Sequence, residues 1–598
     1  MTENVIDRSF LIRILLMFFL VILLLSTIII RLWNVQVLSG LEFDEKASGL
    51  YARSIRQPAL RGRIYSADGC LLAANRPVVN VQFHLSEMPI SGKLGISADL
   101  ILNTVKTVEK AAGRKSPVTR KGILYHMLHK PGIPMTVLRG LDRTELAKIS
   151  EIMPPIRGME LSVEPLRWYP FSSLASHLIG YTGLTDPGTA EDRGEFFYYL
   201  PDAVGRTGLE KQYNDVLNGR PGKKLVKVNH RGFVHEVVGG EKMESASDLM
   251  TTLDSRLQRR AAQLLEGREG AIVVLDASDG SVLALESAPG FNLNSFIPRI
   301  TARHYALLDK HPGKPFLNKA LQPYMPGSII KPLVALAILE NGGSADDELE
   351  CDGATEFSDG SRVRCWAWLS GGHGTLTLTD AIKVSCNDYF IEQGMKLGVD
   401  KLKAVFDSAG IGSRTGLGLP EKAGILPGRD FRNRWNRYET ALVSIGQGKI
   451  QVSPLQAACY AAAIANGGSL WQPRLVREIR NPETDRKITV RPVLRGKLQA
   501  SPQNIATVRE GMFRAVNESG GGARMARLHE ITVSGKTGTA EVGPRNNRTK
   551  NTWFIGFAEL PSGRQIAVAV LILCGESGNK TAAPLAAEII HTALELNL

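Results

Sequence analysis

The stretch Pro326-Gly-Ser-Ile-Ile-Lys331 opens an apolar run that continues through Leu339 and stops at Gly342-Gly343. This pattern predicts a helix in which Ser328 and Lys331, three residues apart, project from the same face of the first turn. A serine in that position lies near the positive end of the helix. A neighbouring lysine can take the proton of the serine if burial lowers the lysine pKa, so the pair is a candidate nucleophile and base.

A lone Ser-x-x-Lys pair is weak evidence, because the chain contains a second copy at Ser577-Gly-Asn-Lys580. That copy follows a predicted strand in a polar loop and has no helix start to activate its serine. Two further elements distinguish the first copy. Ser385-Cys-Asn387 follows it after a helical run, and Lys536-Thr-Gly-Thr539 follows the β-branched run that ends at Val533.

Ser-x-x-Lys, Ser-x-Asn and Lys-Thr-Gly, in this order, are the signature of penicillin-binding proteins and serine β-lactamases. From about residue 251 to its end, the chain resembles a penicillin-binding transpeptidase domain. Supporting stretches are Leu253-Asp-Ser-Arg-Leu-Gln258, Ser444-Ile-Gly-Gln-Gly448, Val452-Ser-Pro-Leu-Gln456 and Gly535-Lys-Thr-Gly-Thr-Ala-Glu541.

The upstream half resembles the non-catalytic pedestal of class B penicillin-binding proteins, on the stretches Arg61-Gly-Arg-Ile-Tyr65 and Gly205-Arg-Thr-Gly-Leu-Glu210. Residues 31–250 show no glycosyltransferase domain, as a class A member would carry. Within the catalytic half, three stretches resemble the elongation type of class B protein, namely Cys365-Trp366, His373-Gly374 and Ser385-Cys-Asn387. The division type of class B protein is the nearest alternative enzyme.

The predicted fold is α+β, with an N-terminal transmembrane helix, an elongated pedestal domain and a C-terminal penicillin-binding transpeptidase domain. Strands predicted near both ends of the last domain indicate one sheet that joins distant segments. The resemblance implies that this sheet is antiparallel and flanked by helices, as in serine β-lactamases. The expected division is a cytoplasmic tail (1–13), an anchor (14–33), a pedestal of the dimerisation type (34–250) and the transpeptidase domain (251–598).

The anchor is predicted from Ile14 to Ile30, a run without charge between Arg13 and Arg31. Its length is at the short end for a spanning helix, and Trp33 suits a membrane interface. No small-residue cleavage site follows, so we expect an uncleaved, single-pass anchor. Flanking positive charges do not decide its orientation. From the short N-terminal tail and the wall-building role that the resemblance implies, we expect the catalytic domain on the periplasmic side of a bacterial inner (cytoplasmic) membrane.

Composition excludes several classes of protein. With 598 residues, 43% of them hydrophobic and 22% charged, the chain is neither disordered nor a small disulfide scaffold, and six cysteines are too few for a disulfide framework. A net charge of +13 suits an anionic partner or a solvated basic surface. Without a zinc finger, an RRM or a basic arm, nucleic acid is not an expected partner.

The resemblance implies a reaction and a role for each motif residue. Ser328 would attack the carbonyl between the two terminal D-alanines of a peptidoglycan stem peptide and form an acyl-enzyme, which an acceptor amine resolves into a cross-link. Lys331 would be the base, Ser385 and Lys536 would pass protons to the leaving D-alanine, and Asn387 would hold the substrate amide. β-Lactam antibiotics would acylate the same serine.

The last motif is expected to bind substrate. By resemblance, Thr537 and Thr539 hold the terminal carboxylate, with Gly538 between them, and the backbone N–H groups of Ser328 and Thr539 form the oxyanion hole. The resemblance also implies the cytoplasmic membrane and a SEDS-type, RodA-like glycosyltransferase as partners. Alternatives are a membrane-bound β-lactam sensor, a non-catalytic scaffold of wall synthesis, or a β-lactamase, which would need neither anchor nor pedestal.

Four metal-ligating residues lie between the first two motifs, namely Cys351, Cys365, His373 and Cys386. A tetrahedral Cys₃His zinc site uses this ligand set, although the gaps are longer than in compact zinc fingers. Some elongation-type relatives resemble this in binding zinc here, with aspartate among the ligands, so Asp352 is an alternative to Cys351. A Cys351–Cys365 disulfide and free buried thiols are the competing interpretations.

Overall fold

A computed structural model gives the fold of most of the chain. The residues that it describes are 8–39, 52–57, 59–85, 87–88, 91, 93–130, 132–152, 156–184, 198–199, 203–228, 234–244, 246–428, 435–544, 546 and 548–598. The first seven residues of the expected cytoplasmic tail lie outside this set.

The N-terminal helix, α1 (Arg8–Trp33), is continued by a π-helical turn at Asn34–Leu38. An 18-residue window within Leu11–Leu38 reaches a mean hydropathy of 2.8, and none of the segment is buried against the rest of the protein. A helix of this length and composition can cross a membrane. It contains the predicted anchor and extends beyond it at both ends.

The pedestal region combines strands from widely separated segments. Its strands are β1 (Ala52–Gln57), β2 (Ile64–Tyr65), β3 (Leu71–Phe83), β4 (Met135–Leu138), β5 (Met159–Trp168), β6 (Thr182–Leu184), β7 (Tyr198–Tyr199), β8 (Ala203–Gly205), β9 (Gly222–Val228), β10 (Val234–Glu241) and β11 (Asp248–Thr251). Strands β9 and β10 are consecutive in the chain. These two strands pair with β1 and β7 in a four-stranded sheet ordered β10-β9-β1-β7.

The helices of the pedestal region are α2 (Leu94–Ala112), α3 (Arg120–His129), α4 (Arg143–Ile152), α5 (Ser176–Ile179), α6 (Gly208–Gln212) and α7 (Asn214–Asn218). Helix α2 buries Ile101, Val105 and Val108, which share one face because they recur at helical spacing. This face packs against Val81 and Phe83 of β3. The part of the pedestal between residues 81 and 159 therefore has a hydrophobic core of its own.

The sheet of the C-terminal domain, the expected transpeptidase domain, confirms the predicted architecture. Its strands are β12 (Gly270–Asp276), β13 (Val282–Ala288), β22 (Val533–Val542), β23 (Thr549–Glu559) and β24 (Gln565–Ile572), all antiparallel and ordered β13-β12-β24-β23-β22. The sheet therefore joins segments from the two ends of the domain. Along β12, Val273 faces one hydrophobic cluster, whereas Ile272 and Val274 face the other. Since successive strand residues point to opposite faces, both faces of the sheet are buried.

Helices cover both faces of this sheet. The helices of this domain are α8 (Ser255–Leu264), α9 (Ala302–Asp309), α10 (Lys331–Glu340), α11 (Leu378–Val384), α12 (Asn387–Leu397), α13 (Val399–Ser408), α14 (Arg437–Ser444), α15 (Pro454–Ala465), α16 (Pro502–Asn517) and α17 (Ala583–Glu595). Leu257 of α8 and Ile589 of α17 pack on one face, and the fully buried helix α15 packs on the other. The stretch Val452-Ser-Pro-Leu-Gln456 starts α15 with a capping box between Ser453 and Gln456.

Short strands complete the domain and link it to the pedestal. They are β14 (Leu349–Cys351), β15 (Ala354–Glu356), β16 (Arg362–Arg364), β17 (Gly374–Leu376), β18 (Ser469–Trp471), β19 (Val476–Arg480), β20 (Lys487–Thr489) and β21 (Leu494–Lys497). Strand β11 pairs with β2 on one side and β19 on the other, within a seven-stranded sheet. That sheet crosses residue 250 and couples the pedestal to the catalytic half.

A buried ion cluster stabilises the pedestal where its distant segments meet. The carboxylate of Glu210 accepts from Arg61 Nε at 2.6 Å, from Arg167 Nε at 2.6 Å and from Tyr169 OH at 3.1 Å. All four side chains are buried. Burial alone would raise the pKa of Glu210, but the two guanidinium groups outweigh this effect and lower it. The two pedestal stretches quoted above thus contribute Arg61 and Glu210 to one ion cluster, and Arg167 belongs to no motif that we identified.

Replacing Glu210 by glutamine should destabilise the pedestal, because it leaves two guanidinium groups buried without a countercharge. The expected loss is about 3–5 kcal/mol in the free energy of unfolding. Urea titration of the full chain in detergent measures it. The matched control is Glu244→Gln, because Glu244 forms an exposed pair with Arg220 at 3.6 Å. That control should cost less than about 1 kcal/mol. Equal, small losses for both variants would contradict a stabilising role for the cluster.

Candidate active site

The Ser-x-x-Lys motif lies at the start of a helix buried in the domain core. Gly327–Ile330 forms a 3₁₀ turn, and α10 begins at Lys331, with Pro332 in its first turn. The sequence analysis predicted that Ser328 and Lys331 lie in one continuous α-helix. The structure differs, because Ser328 lies in the tighter 3₁₀ turn before the helix. Residues 331–338 are all buried. The helix is apolar on every side because it passes through the core, and it delivers Ser328 and Lys331 to one end of the sheet.

The ammonium group of Lys331 is fully buried and donates to the second motif. Its Nζ lies 2.8 Å from the carbonyl oxygen of Ser385, 3.3 Å from Ser385 Oγ and 2.8 Å from Asn387 Oδ1. Burial lowers the pKa of Lys331 to about 8. A lysine with this pKa has a substantial neutral fraction near neutral pH and can act as a base.

The third motif also contacts Ser385, the serine of the second motif. Lys536, also fully buried, donates from Nζ to Ser385 Oγ at 2.8 Å and to the carbonyl of Thr537 at 3.1 Å. Burial lowers the pKa of Lys536 well below its ordinary value, and the neighbouring charge of Lys331 lowers it further. The hydroxyl of Ser385 therefore bridges two lysines, each of which can exchange a proton with it.

Two glycines allow the motifs to approach this closely. A Cβ atom on Gly538 would lie 2.7 Å from the carbonyl oxygen of Pro326, so only glycine lets strand β22 pack against the Ser328 turn. Gly446 has a φ of +75°, and a Cβ atom there would lie 2.0 Å from the carbonyl oxygen of Gly327. Its own carbonyl accepts from Gly327 N at 2.9 Å. The stretch Ser444-Ile-Gly-Gln-Gly448 thus packs against the Gly327–Ile330 turn, which carries Ser328 and is called the nucleophile turn below.

The two threonines of the third motif differ in their hydrogen bonds. Thr537 Oγ1 donates to the carbonyl of Gly522 at 2.7 Å, whereas Thr539 Oγ1 accepts from the backbone N–H of Gly578 at 3.1 Å. The hydroxyl proton of Thr537 is therefore engaged, whereas that of Thr539 meets no acceptor in the described part of the chain and can be given to a ligand.

The second Ser-x-x-Lys copy forms no catalytic pair. Ser577 Oγ accepts from the backbone N–H of Lys580, and Lys580 Nζ pairs with Glu576 at the surface. This segment is a π-helical turn at Gly578–Ala582 that borders the site through Gly578.

The four-residue cluster predicted between the first two motifs is present. The ligand atoms of Cys351, Cys365, His373 and Cys386 all lie within 4.8 Å of one another, and His373 Nδ1 is 3.5 Å from the sulfur atoms of Cys351 and Cys365. All four cysteine and histidine side chains are buried or half-buried, and none of the cysteines forms a disulfide. Asp352, the alternative ligand, is exposed and lies outside the cluster.

The chemistry of this donor set fits a tetrahedral zinc ion. Three thiols and an imidazole nitrogen are the ligands of a Cys₃His site, and buried sulfur atoms accept backbone N–H groups in such sites. Here Cys365 Sγ accepts from the N–H of Asn387 and Cys386 Sγ from that of Tyr389, both at 3.4 Å. The cluster therefore adjoins the Ser385-Cys-Asn387 loop directly.

Gly522 is a site residue that the sequence interpretation missed. Besides accepting from Thr537, it donates from its backbone to the carbonyl of Lys383, near the end of α11. The only signal was the run Gly520-Gly521-Gly522, which marks a loop and carries no chemistry of its own.

Comparison with known proteins agrees with this geometry. A family model for the penicillin-binding protein transpeptidase domain matches residues 270–591, and one for the penicillin-binding protein dimerisation domain matches residues 56–251. The chain belongs to the penicillin-binding protein family. It is a class B member of the elongation type, with the α+β architecture expected from its sequence.

Named relatives and solved structures cover nearly the whole chain. The peptidoglycan D,D-transpeptidase MrdA of Acinetobacter baumannii is 30% identical, over 94% of this chain and 84% of the relative. The penicillin-binding protein PBP2 of Helicobacter pylori, solved in complex with MreC, has a TM-score of 0.75 at 26% identity, over 91% of this chain and 99% of that one. A structure of a peptidoglycan synthase complex that coordinates polymerization and crosslinking has a TM-score of 0.73 at 27% identity, over 98% of both chains.

Proposed function

We propose that this chain cross-links peptidoglycan stem peptides as an elongation-type D,D-transpeptidase and that β-lactams acylate it. The observation that carries the proposal is the shared hydrogen bonding of Ser385 Oγ to two buried lysines beside the Ser328 turn. This arrangement places a base with a lowered pKa and a route for protons next to the turn that carries Ser328. The named relatives support the same reaction.

In the acylation step, Ser328 Oγ attacks the carbonyl between the two terminal D-alanines as Lys331 Nζ takes the hydroxyl proton. The new C–O bond forms a tetrahedral oxyanion, which the backbone N–H groups of Ser328 and Thr539 stabilise. Such donors contribute about 10²–10³ each in rate. Ser385, hydrogen-bonded to both lysines, then gives its proton to the amide nitrogen and takes the proton held by Lys331, as the carbonyl re-forms, the C–N bond breaks and D-alanine leaves.

In the second step, an acceptor amine attacks the ester carbonyl of the acyl-enzyme. The amine loses a proton to the Lys331–Ser385–Lys536 group, the ester C–O bond breaks, and Ser328 Oγ regains a proton. Asn387 holds the substrate amide. Its carbonyl oxygen already accepts from Lys331 Nζ, so the same side chain positions both the base and the substrate.

The terminal carboxylate of the donor peptide is assigned to the third motif. Thr539 is the better donor of the two threonines, because its hydroxyl accepts from Gly578 and has no acceptor for its proton among the residues that the structure describes. Thr537 can contribute only after giving up its bond to Gly522. Gly538 lets the backbone between them approach the nucleophile turn.

The N-terminal helix is proposed to anchor the protein in the bacterial cytoplasmic membrane, with the catalytic domain on the periplasmic side. The length and apolarity of Leu11–Leu38 support the anchor, and the location of peptidoglycan supports the orientation. The family-model ranges support a division near residue 250 into pedestal and transpeptidase domains. The related structures, one a complex with MreC and one a peptidoglycan synthase complex that coordinates polymerization and crosslinking, support partners in wall synthesis. A SEDS-type, RodA-like glycosyltransferase is the polymerising partner that we propose.

The Cys/His cluster is proposed to hold one structural zinc ion. Cys351, Cys365, His373 and Cys386 would be its ligands, and the ion would supply a fixed link between their loops. Because Cys386 lies between Ser385 and Asn387, such a link would restrain both side chains. The donor set and the backbone N–H groups that reach the sulfur atoms support this assignment.

Mutation of the nucleophile tests the function. Full-length Ser328→Ala should form no covalent adduct with fluorescent penicillin, whereas the wild type should form a long-lived adduct that mass spectrometry locates on Ser328. Ser577→Ala, which removes the serine of the second Ser-x-x-Lys copy, is the matched control and should be acylated normally. An adduct on Ser328→Ala, or rapid turnover of penicillin by the wild type, would contradict a transpeptidase that uses Ser328.

The pH dependence of acylation tests the base. Lys331 is active when neutral, and its pKa of about 8 means that the neutral fraction increases as the pH rises. We expect the acylation rate constant to rise about tenfold per pH unit below 8 and to level off above it. Lys331→Arg stays cationic and should lose both the rate and the rise. A flat wild-type profile between pH 6 and 9 would exclude Lys331 as the rate-determining base.

Metal analysis tests the zinc ion. Full-length protein purified without added zinc should carry about one zinc per chain and show no 351–365 disulfide in thiol counting. Cys386→Ser should lose the metal and lower the melting temperature, because metal binding contributes to folding. Cys574→Ser, at an exposed cysteine outside the cluster, should change neither. Metal-free wild-type protein would refute the assignment.

A further inference from the structure

Ser385 adopts a backbone conformation that needs external support. Its φ is +61°, in the left-handed region that non-glycine residues seldom occupy, and it ends helix α11. Such a conformation persists only when surrounding contacts over-determine it. The same residue must present its Oγ atom to two lysines at once, so its orientation matters for proton transfer.

The support comes from the carbonyl groups at the end of α11. The last carbonyls of a helix lack partners within the helix. Here three consecutive carbonyls each accept from a different part of the chain, and the pairs are Lys383 O with Gly522 N at 2.9 Å, Val384 O with Trp366 Nε1 at 2.9 Å, and Ser385 O with Lys331 Nζ at 2.8 Å. Gly522 and Lys331 have roles already described, whereas Trp366 belongs to no catalytic motif.

Trp366 is not held in place as a core residue would be. Its side chain is 66% exposed, which is unusual for a large aromatic residue, and its ring meets that of His373 edge-on with 4.9 Å between centroids. Since little of the indole is buried, the hydrogen bond to Val384 is its most specific contact. That bond is formed at the residue directly before Ser385.

The residues next to Trp366 hold the other side of the same loop. The N–H of Asn387 donates to Cys365 Sγ at 3.4 Å, and Asn387 Nδ2 donates to the carbonyl of Arg364 at 3.2 Å. Residues 364–366 therefore contact the Ser385 loop both before and after the serine.

We propose that Trp366 is a positioning residue, whose indole N–H fixes the Val384 carbonyl and thereby the orientation of Ser385 between Lys331 and Lys536. This inference rests on the proposed function. Without the indole bond, the peptide group before Ser385 can rotate toward water. The 2.8 Å and 3.3 Å contacts of Ser385 Oγ with the two lysines then lengthen, and proton transfer slows.

Acylation kinetics of full-length Trp366→Phe test the proposal, because phenylalanine keeps an aromatic ring but has no N–H donor. Fluorescent penicillin at several concentrations separates the rate constant for acylation from the apparent dissociation constant of the first complex. The acylation rate constant should fall about threefold to tenfold, as expected for one lost hydrogen bond. The apparent dissociation constant, the melting temperature and the metal content should stay at the wild-type values. Trp366→Ala should show the same loss.

The control is Leu369→Ala, which alters a 97% exposed side chain in the same loop and should leave the rate unchanged. An unchanged rate in Trp366→Phe with a reduced rate in Trp366→Ala would overturn the proposal, because ring packing rather than the N–H would then matter. A change confined to the dissociation constant, or accompanied by metal loss, would also overturn it. Failure of the wild type to be acylated at Ser328 would instead refute the proposed function.

Discussion

The catalytic half of this protein depends on keeping two lysine side chains out of water around one hydroxyl group. Moving the pKa of Lys331 from 10.5 to about 8 favours its neutral form by about 3 kcal/mol relative to water. Only complete burial in a dense core sustains such a change, because a nearby water molecule would solvate the ammonium group again. The apolar helix α10, the two buried faces of the sheet and the glycines that let its edge strand approach all contribute to that exclusion.

In the pedestal, by contrast with the two lysines, a buried side chain keeps its charge. Glu210 is buried with two arginines, so its charge is retained rather than removed, and three distant segments converge on one carboxylate. Removal of one member leaves unpaired charge, so the cluster specifies which segments meet. The pedestal is linked to the catalytic half through β11, which pairs with a strand from each side.

Much of this arrangement could be predicted from the sequence, because motif residues must be close in space whatever the connecting chain does. The three motifs predicted a shared site, and strands near both ends of the domain predicted a sheet of distant segments. The 3₁₀ turn at Ser328 could not be predicted, since it follows from the approach of Gly538 and Gly446 to the turn. Arg167 and Gly522 were missed for a similar reason, because their partners lie far away in the sequence.

The Ser385-Cys-Asn387 loop is held by several hydrogen bonds from different segments of the chain. The left-handed conformation of Ser385 exposes the carbonyls at the end of α11, and each of them accepts a hydrogen bond from a different segment. The same loop carries Cys386, whose sulfur lies in the Cys/His cluster. A hydroxyl that must serve two lysines cannot be oriented by the lysines alone, because both of them gain or lose protons during the reaction. Groups that do not titrate in the reaction, such as an indole N–H and a backbone amide, can hold the loop in every protonation state, and two of the three restraints, from Trp366 and Gly522, are of this kind and lie outside the catalytic motifs.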